Sequence, residues 1–154
     1  MAVAFVDTSA LVKRYVLEAG TSWMRAFADP ASANVVYVLN LSLVELTSAV
    51  TRRSRAGSIS AADAARIINQ AEQDFLRGYA VVRLNDRDLA RAASLASMHA
   101  LRAYDAIQLG AALELNASRQ FVGLPALMLI SADHELNAAA SAEGLAVENP
   151  NRHP

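Results

Sequence analysis

Short apolar runs alternate along this chain with longer amphipathic stretches. Residues 2–6 (Ala-Val-Ala-Phe-Val) form the first run, and Val35 to Leu39 the second. Ala80-Val-Val-Arg is the third, Ala126-Leu-Met-Leu-Ile130 after Pro125 the fourth, and Gly144-Leu-Ala-Val147 the last. Continuous apolar runs without polar alternation predict strands buried on both faces. Between them lie helix signals. Asp7-Thr8-Ser9 offers capping chemistry for a helix from Ala10 to Leu17, stopped by Gly20, and Thr21 starts a short helix ended by Asp29-Pro30. Ser42-Leu-Val-Glu45 matches the capping-box pattern and opens a helix to about Ala56. Ser60-Ala-Ala-Asp63 opens a long helix to about Leu76, and Asn85-Asp86 leads into another over 87–99. Further helices are expected from Tyr104-Asp105 to Leu115 and, after Ser131-Ala-Asp133, to about Ser141. Strands alternating with helices predict an α/β fold of three layers, α/β/α, around a mostly parallel sheet of about five strands. Residues 1–148 read as one domain, and the polar, proline-bearing segment 149–154 as a loose tail.

Composition narrows the chemistry. The chain has 154 residues, 54% hydrophobic and 19% charged, enough for a globular core and too apolar for disorder. It has no cysteine, which excludes a disulfide framework and a thiolate metal site. The start, Met-Ala-Val-Ala-Phe-Val-Asp, carries no basic leader, and no uncharged stretch approaches the roughly 20 residues of a membrane span. A cytoplasmic protein without membrane contact is the expectation. The net charge of −1 gives no bulk attraction to nucleic acid, so any such affinity rests on local patches.

Four acids then stand out: Asp7, Glu45, Asp105 and Asp133. Asp7 and Asp133 follow the first and fourth strands, while Glu45 and Asp105 open helices beside the sheet. In a parallel α/β fold such junctions gather along one sheet edge, where ligands bind. Each acid alone has a structural explanation, as a turn residue or a helix cap. Together they repel: two carboxylates about 4 Å apart near a protein surface cost roughly 4 kcal/mol. A hard divalent cation, Mg²⁺ or Mn²⁺, resolves that repulsion with oxygen ligands alone. Such a site suits metal-dependent phosphodiester hydrolysis, which needs no histidine, lysine or serine nucleophile.

The same residues carry a resemblance. Val6-Asp7-Thr8-Ser9-Ala10-Leu11-Val12-Lys13-Arg14-Tyr15 is similar to the opening signature of PIN-domain ribonucleases, especially the VapC-type toxins of toxin–antitoxin pairs. Ser42 to Val50 resembles their second motif, Tyr104-Asp105-Ala106-Ile107-Gln108-Leu109 with Ala111-Ala112 the third, and Ile130-Ser131-Ala132-Asp133 with Leu136 and Ala139-Ala140 the fourth. The match runs in order over nearly the whole chain. It implies a PIN-like fold in which Asp7, Asp105 and Asp133 surround a catalytic Mg²⁺ or Mn²⁺. Glu45 completes the acidic pocket, with one or two ions held. It implies that Thr8, Ser9 and Ser131 orient the carboxylates. Ser131 departs mildly from the threonine common at that place. It also implies a homodimer, and a cognate antitoxin that lays an arginine near the acids. The helix of Trp23, Met24 and Phe27 falls where such toxins often meet the antitoxin or a second subunit, with core packing the alternative.

Arg52, Arg53 and Arg55 cluster at the end of the Glu45 helix. They are candidates for RNA-backbone contact, or simply favourable charge at a helix C-terminus. Two other classes are tested by the same residues. A phosphoaspartate domain or an aspartate-nucleophile phosphatase needs a lysine late in the chain, and Lys13 is the only lysine. A non-catalytic PIN-like RNA- or protein-binding module is the alternative to the endoribonuclease, and four intact acids speak against it.

Overall fold

The computed structural model describes residues 1–153. Five strands, β1 (Val3–Val6), β2 (Val35–Leu39), β3 (Ala80–Val82), β4 (Met128–Ile130) and β5 (Ala146–Glu148), form one sheet in the order β3-β2-β1-β4-β5. All four neighbouring pairs are parallel, so the expected mostly parallel sheet is wholly so. Seven α-helices connect and cover it: α1 (Thr8–Leu11), α2 (Thr21–Phe27), α3 (Ser42–Arg55), α4 (Ala61–Arg77), α5 (Asp86–His99), α6 (Ala103–Phe121) and α7 (His134–Ala142). No helix among the described residues is long and apolar enough to cross a membrane.

Side chains alternate across the sheet, so the central strands β2, β1 and β4 feed two cores, while the edge strands β3 and β5 reach only one of them, through Val82 and Val147. Ala4 and Val6 of β1 enter a cluster with Val36, Val38, Leu46, Val50, Ile67 and Ala71, under α3 and α4. Phe5, between them, enters the opposite cluster with Leu95, Leu109, Ala112, Leu129 and Leu136, under α5, α6 and α7. That two-sided burial is why the central strands read as unbroken apolar runs; the edge strands β3 and β5 have no fully buried residue. The two helices α5 and α6 pack closely, because at Gly110 any Cβ would meet Asp88 O at 2.9 Å and Ala92 N at 3.1 Å.

Several boundaries differ from expectation, each for a local reason. The first helix is only Thr8–Leu11 followed by a 3-10 turn at Val12–Arg14, not a helix to Leu17. There the Thr21 hydroxyl ties Val16 O and Glu18 O into a reversal. Helix α6 runs on to Phe121, and Asn116 Oδ1 takes the Leu127 N–H, so β4 begins only at Met128. The capping box at Ser42 does not form. Leu41 already has helical backbone and receives the N–H groups of Val44 and Glu45, which leaves Ser42 inside the helix and fully buried.

The tail, expected to be loose, is packed through His153. Pro150–Arg152 forms a 3-10 turn with Pro150 buried, and the His153 ring stacks on Trp23 at 4.7 Å between centroids. The turn sits on Gly20, whose φ of +85° and contact with the Pro150 backbone leave no room for a Cβ. Trp23 thus packs on Phe27 and on the C-terminal segment of the same chain, while Met24 is buried in the core.

Candidate active site

Strand order reverses at β1: the chain builds β2 and β3 on one side of it, then returns to add β4 and β5 on the other. A crevice opens at the carboxyl ends of β1 and β4, the position where open α/β sheets place ligands. Asp7 directly follows β1, and Ser131 to Asp133 follow β4. Their backbones are joined by the Asp7 N–H donating to Ile130 O at 3.0 Å.

Around this crevice the structure brings together all four acids named from the sequence. Asp7, Glu45, Asp105 and Asp133 line one cleft of about 220 Å³ with Thr8, Ser9, Val12, Ala49, Arg52 and Arg102. Asp7 is the N-cap of α1 and Asp133 the N-cap of α7, while Glu45 and Asp105 lie in the first turns of α3 and α6. Four helix N-termini therefore point at the cleft, and their partial positive charge favours anions there. A larger hollow, of about 300 Å³, lies beside Arg14, Tyr15 and Asp74. Its polar groups already satisfy one another, with Tyr15 donating to Asp74 and Arg14 to Tyr79, so size is a poor guide here.

Asp7 is the most heavily hydrogen-bonded of the four. It is 3% exposed, and its Oδ2 accepts from Ser9 N at 3.1 Å, from the Ser9 hydroxyl and from the Ser131 hydroxyl at 3.2 Å. All three bonds fall on one oxygen, and Oδ1 takes none of them. Ser9 Oγ also accepts from Ala132 N at 2.9 Å, and Ser131 Oγ from Asp133 N at 3.0 Å, so the two hydroxyls stitch the β1 and β4 ends together. Burial pushes the Asp7 carboxyl above its ordinary range, with the Ser9 and Ser131 bonds opposing and Glu45 reinforcing.

Thr8 does not serve Asp7. Its hydroxyl faces Glu45 and accepts from Gln108 Nε2 at 3.3 Å. Gln108, fully buried, donates also to Ser42 Oγ at 3.0 Å. One side chain of α6 thereby ties α1 and α3, placing three acid-bearing helices in register. The motif in which Gln108 stands did not single it out for this role. The legible signal was a polar residue on the otherwise apolar inner face of α6.

Glu45 is raised by burial, then by the charge of Asp105, with Thr8, Tyr104 and Arg52 pulling the other way. Its Oε2 is buried and makes no hydrogen bond. Asp105 is pushed up to about 6 by burial and by the charges of Asp133 and Asp7, with Arg102 opposing and Glu135 adding to the rise. Asp133 spends Oδ1 on the Leu136 N–H at 2.8 Å, and so both caps α7 and faces the cleft.

The three arginines of α3 separate. Arg52 lines the cleft. Arg53 instead donates to Glu18 Oε2 at 3.0 Å, and Glu18 also pairs with the buried Lys13 at 3.2 Å, which explains both as parts of a structural ion cluster. Arg55 is exposed at the far end of the helix.

The donor set fits a hard divalent ion. It is oxygen only, and one buried carboxylate oxygen, Glu45 Oε2, lacks any partner. Among the described residues, however, no three acids or histidines already stand around a single ion position. Three of the four carboxyls, Asp7, Glu45 and Asp105, are held above their ordinary range, which a bound cation would relieve.

A PIN-domain family model matches residues 4–142. The chain belongs to the PIN-domain family. Three solved structures share its fold at low identity. FitAcB from Neisseria gonorrhoeae has a TM-score of 0.65 at 18% identity, over 98% of this chain and 99% of that one. VapBC2 from Rickettsia felis, bound to a DNA fragment from its promoter, has 0.61 at 12% identity, over 96% and 98%. A toxin–antitoxin complex from Klebsiella pneumoniae has 0.58 at 16% identity, over 96% and 97%. No curated protein matches the chain in sequence.

Proposed function

We propose that this PIN-domain protein is a cytoplasmic Mg²⁺- or Mn²⁺-dependent endoribonuclease, the toxin of a toxin–antitoxin pair. The observation that carries the reading is the convergence of four acid-bearing helix N-termini on one cleft, with Glu45 Oε2 buried and unpartnered. Asp7, Glu45, Asp105 and Asp133 would hold one or two ions. When bound, the metal supplies Lewis acidity toward a phosphoryl oxygen and lowers the pKa of a bound water.

The protein's own part is positioning. Ser9 and Ser131 fix Asp7 through Oδ2, which sets the direction of Oδ1. Gln108, Thr8 and Ser42 hold the Glu45 and Asp105 helices at their present spacing. Arg52 and Arg102 line opposite acids of the cleft and suit the phosphates flanking a scissile bond. Glu45 and Asp105 are both held above the usual carboxylate range, so a bound cation would favour their ionised forms.

The partner reading follows from family membership and from the toxin–antitoxin fold neighbours. An antitoxin segment would lie across the acidic cleft, its arginine paired with the carboxylates in place of metal. A homodimer is expected on the same grounds. The absence of a ready-made ion position favours one competing reading, a non-catalytic module that binds RNA or protein.

Cleavage of a mixed RNA substrate separates them. Wild type should cut with Mg²⁺ or Mn²⁺ and not with chelator. Asp7→Asn should cut at least ~100-fold more slowly while keeping its fold, since loss of a partner outside the ligand shell already costs about 10- to 100-fold. Equal cleavage by both proteins would remove Asp7 from the chemistry. No cleavage by wild type, with no metal bound either, would favour the binding module.

A further inference from the structure

Arg102 breaks a local rule. It is the N-cap of α6, a position that favours a side-chain oxygen accepting one of the helix's unpaired N–H groups. A guanidinium has no acceptor, and Arg102 makes no capping bond. Its charge also meets the positive end of the α6 dipole. The side chain nevertheless turns over the cleft. Nε lies 3.7 Å from Asp105 Oδ2, and an Nη2 nitrogen 3.9 Å from Asp133 Oδ2. Among the described residues it is the only cation within ion-pair distance of any of the four acids.

We propose that Arg102 is the resident counter-ion of the metal-free cleft, and that it competes with the divalent ion for Asp105 and Asp133. The inference rests on reading the cleft as a metal site. It accounts for a residue that is locally unfavourable where it stands, since such conflicts concentrate at functional positions. It also accounts for the loose geometry. Both contacts are long and the side chain is 78% exposed, so the guanidinium offsets part of the repulsion without locking the site. Arg52 cannot replace it, because it faces Glu45 on the other helix.

The test is calorimetric titration of Mn²⁺ alone into wild type, Arg102→Gln, Arg102→Lys and Asp105→Asn, and into the Arg102→Gln, Asp105→Asn double variant. Arg102→Gln should bind Mn²⁺ about three- to tenfold more tightly, the effect of removing one nearby, solvent-screened positive charge. Arg102→Lys keeps the charge and should stay near wild type. In the Asp105→Asn background the gain should shrink to at most about half of its logarithm, since only the contact with Asp133 remains. Wild type that binds Mn²⁺ with no gain in Arg102→Gln would overturn this inference and leave the metal site standing. An undiminished gain in the Asp105→Asn background would also overturn it, by showing a long-range charge effect. No binding by any variant would overturn the metal reading and this inference together.

Discussion

The most direct consequence of the acid cluster is that the metal-free protein carries a strain that pH can remove. Asp105 is the place to test it. Its folded-state pKa stands at about 6 against an ordinary value of 3.8. A carboxyl raised on folding contributes stability that is fully present below the lower value. That contribution is lost as pH climbs through the higher one. The window is therefore from about pH 4 to about pH 7, and stability should fall across it. Each pH unit of the gap is worth about 1.4 kcal/mol, so the upper bound is roughly 3 kcal/mol. The Asp105 side chain is 19% exposed and its neighbours titrate with it, so roughly 1–3 kcal/mol is the working range. For a chain of this length that corresponds to about 3–10 °C in melting temperature. Asp105→Asn keeps the shape and removes the charge, at the cost of a weak, exposed pair with Arg102. Thermal unfolding in chelator from pH 4 to pH 8 should thus show the variant equal to wild type at pH 4. It should be progressively more stable toward pH 7. Asp7 and Glu45 are also raised, so the wild-type curve will keep part of its slope in the variant. Parallel curves, or a variant less stable at pH 7, would refute the claim that the cleft is electrostatically strained without metal.

Three further outcomes are expected. Millimolar Mg²⁺ or Mn²⁺ should raise the wild-type melting temperature, by about 2.7 kcal/mol of stabilisation at a hundredfold excess over Kd, and Asp105→Asn should gain less; differential scanning fluorimetry reads both. Gln108→Leu keeps the buried volume but leaves the Thr8 and Ser42 hydroxyls without their shared donor. It should cost about 1–3 kcal/mol in urea unfolding and weaken metal binding, although the Gln108 amide donates to Thr8 and Ser42 and not to any of the four acids. Gly20→Ala forces a side chain into a positive-φ position with Pro150 O only 2.5 Å from the new Cβ, so the C-terminal turn should detach and the emission of Trp23, the only tryptophan, should shift.

The sheet and the acids were legible in the sequence because both are written in patterns that tertiary context reinforces. Unbroken apolar runs mark strands covered on both sides, and acids after those strands fall at the sheet edge whichever way the helices lie. Boundaries were less legible where a distant side chain decides them. Asn116 shortens β4 from eleven residues away, and Thr21 ends the first helical segment from five. Ser42 is the clearest case. Its sequence context is that of a capping box, but the backbone of Leu41 begins the helix first, and the freed hydroxyl is claimed by Gln108 from another helix. The C-terminal turn was hidden for a different reason. A polar segment with prolines has no core pattern, and what holds it is one aromatic stack, the His153 contact with Glu148 and a glycine more than a hundred residues upstream.

The arrangement of the cleft also explains why capping and chemistry are hard to tell apart here. A capping acid uses one carboxylate oxygen on its own helix, as Asp133 does toward Leu136 and Asp7 toward Ser9. A carboxylate has a second oxygen, and at a helix N-terminus beside the sheet edge that oxygen points outward into the crevice. The cap therefore orients a potential ligand at no further conformational cost, and the helix dipole tolerates its charge until a cation arrives. Glu45 and Asp105 sit one turn in, without capping bonds, and are the two whose ionisation is resisted without the offset of a cap. The two capping acids give the site its geometry, while Asp7, Glu45 and Asp105, all raised, share its demand for a cation. Substituting a capping acid by alanine should then lower both stability and metal affinity. The same change at Glu45 or Asp105 should lower metal affinity while raising the stability of the metal-free protein.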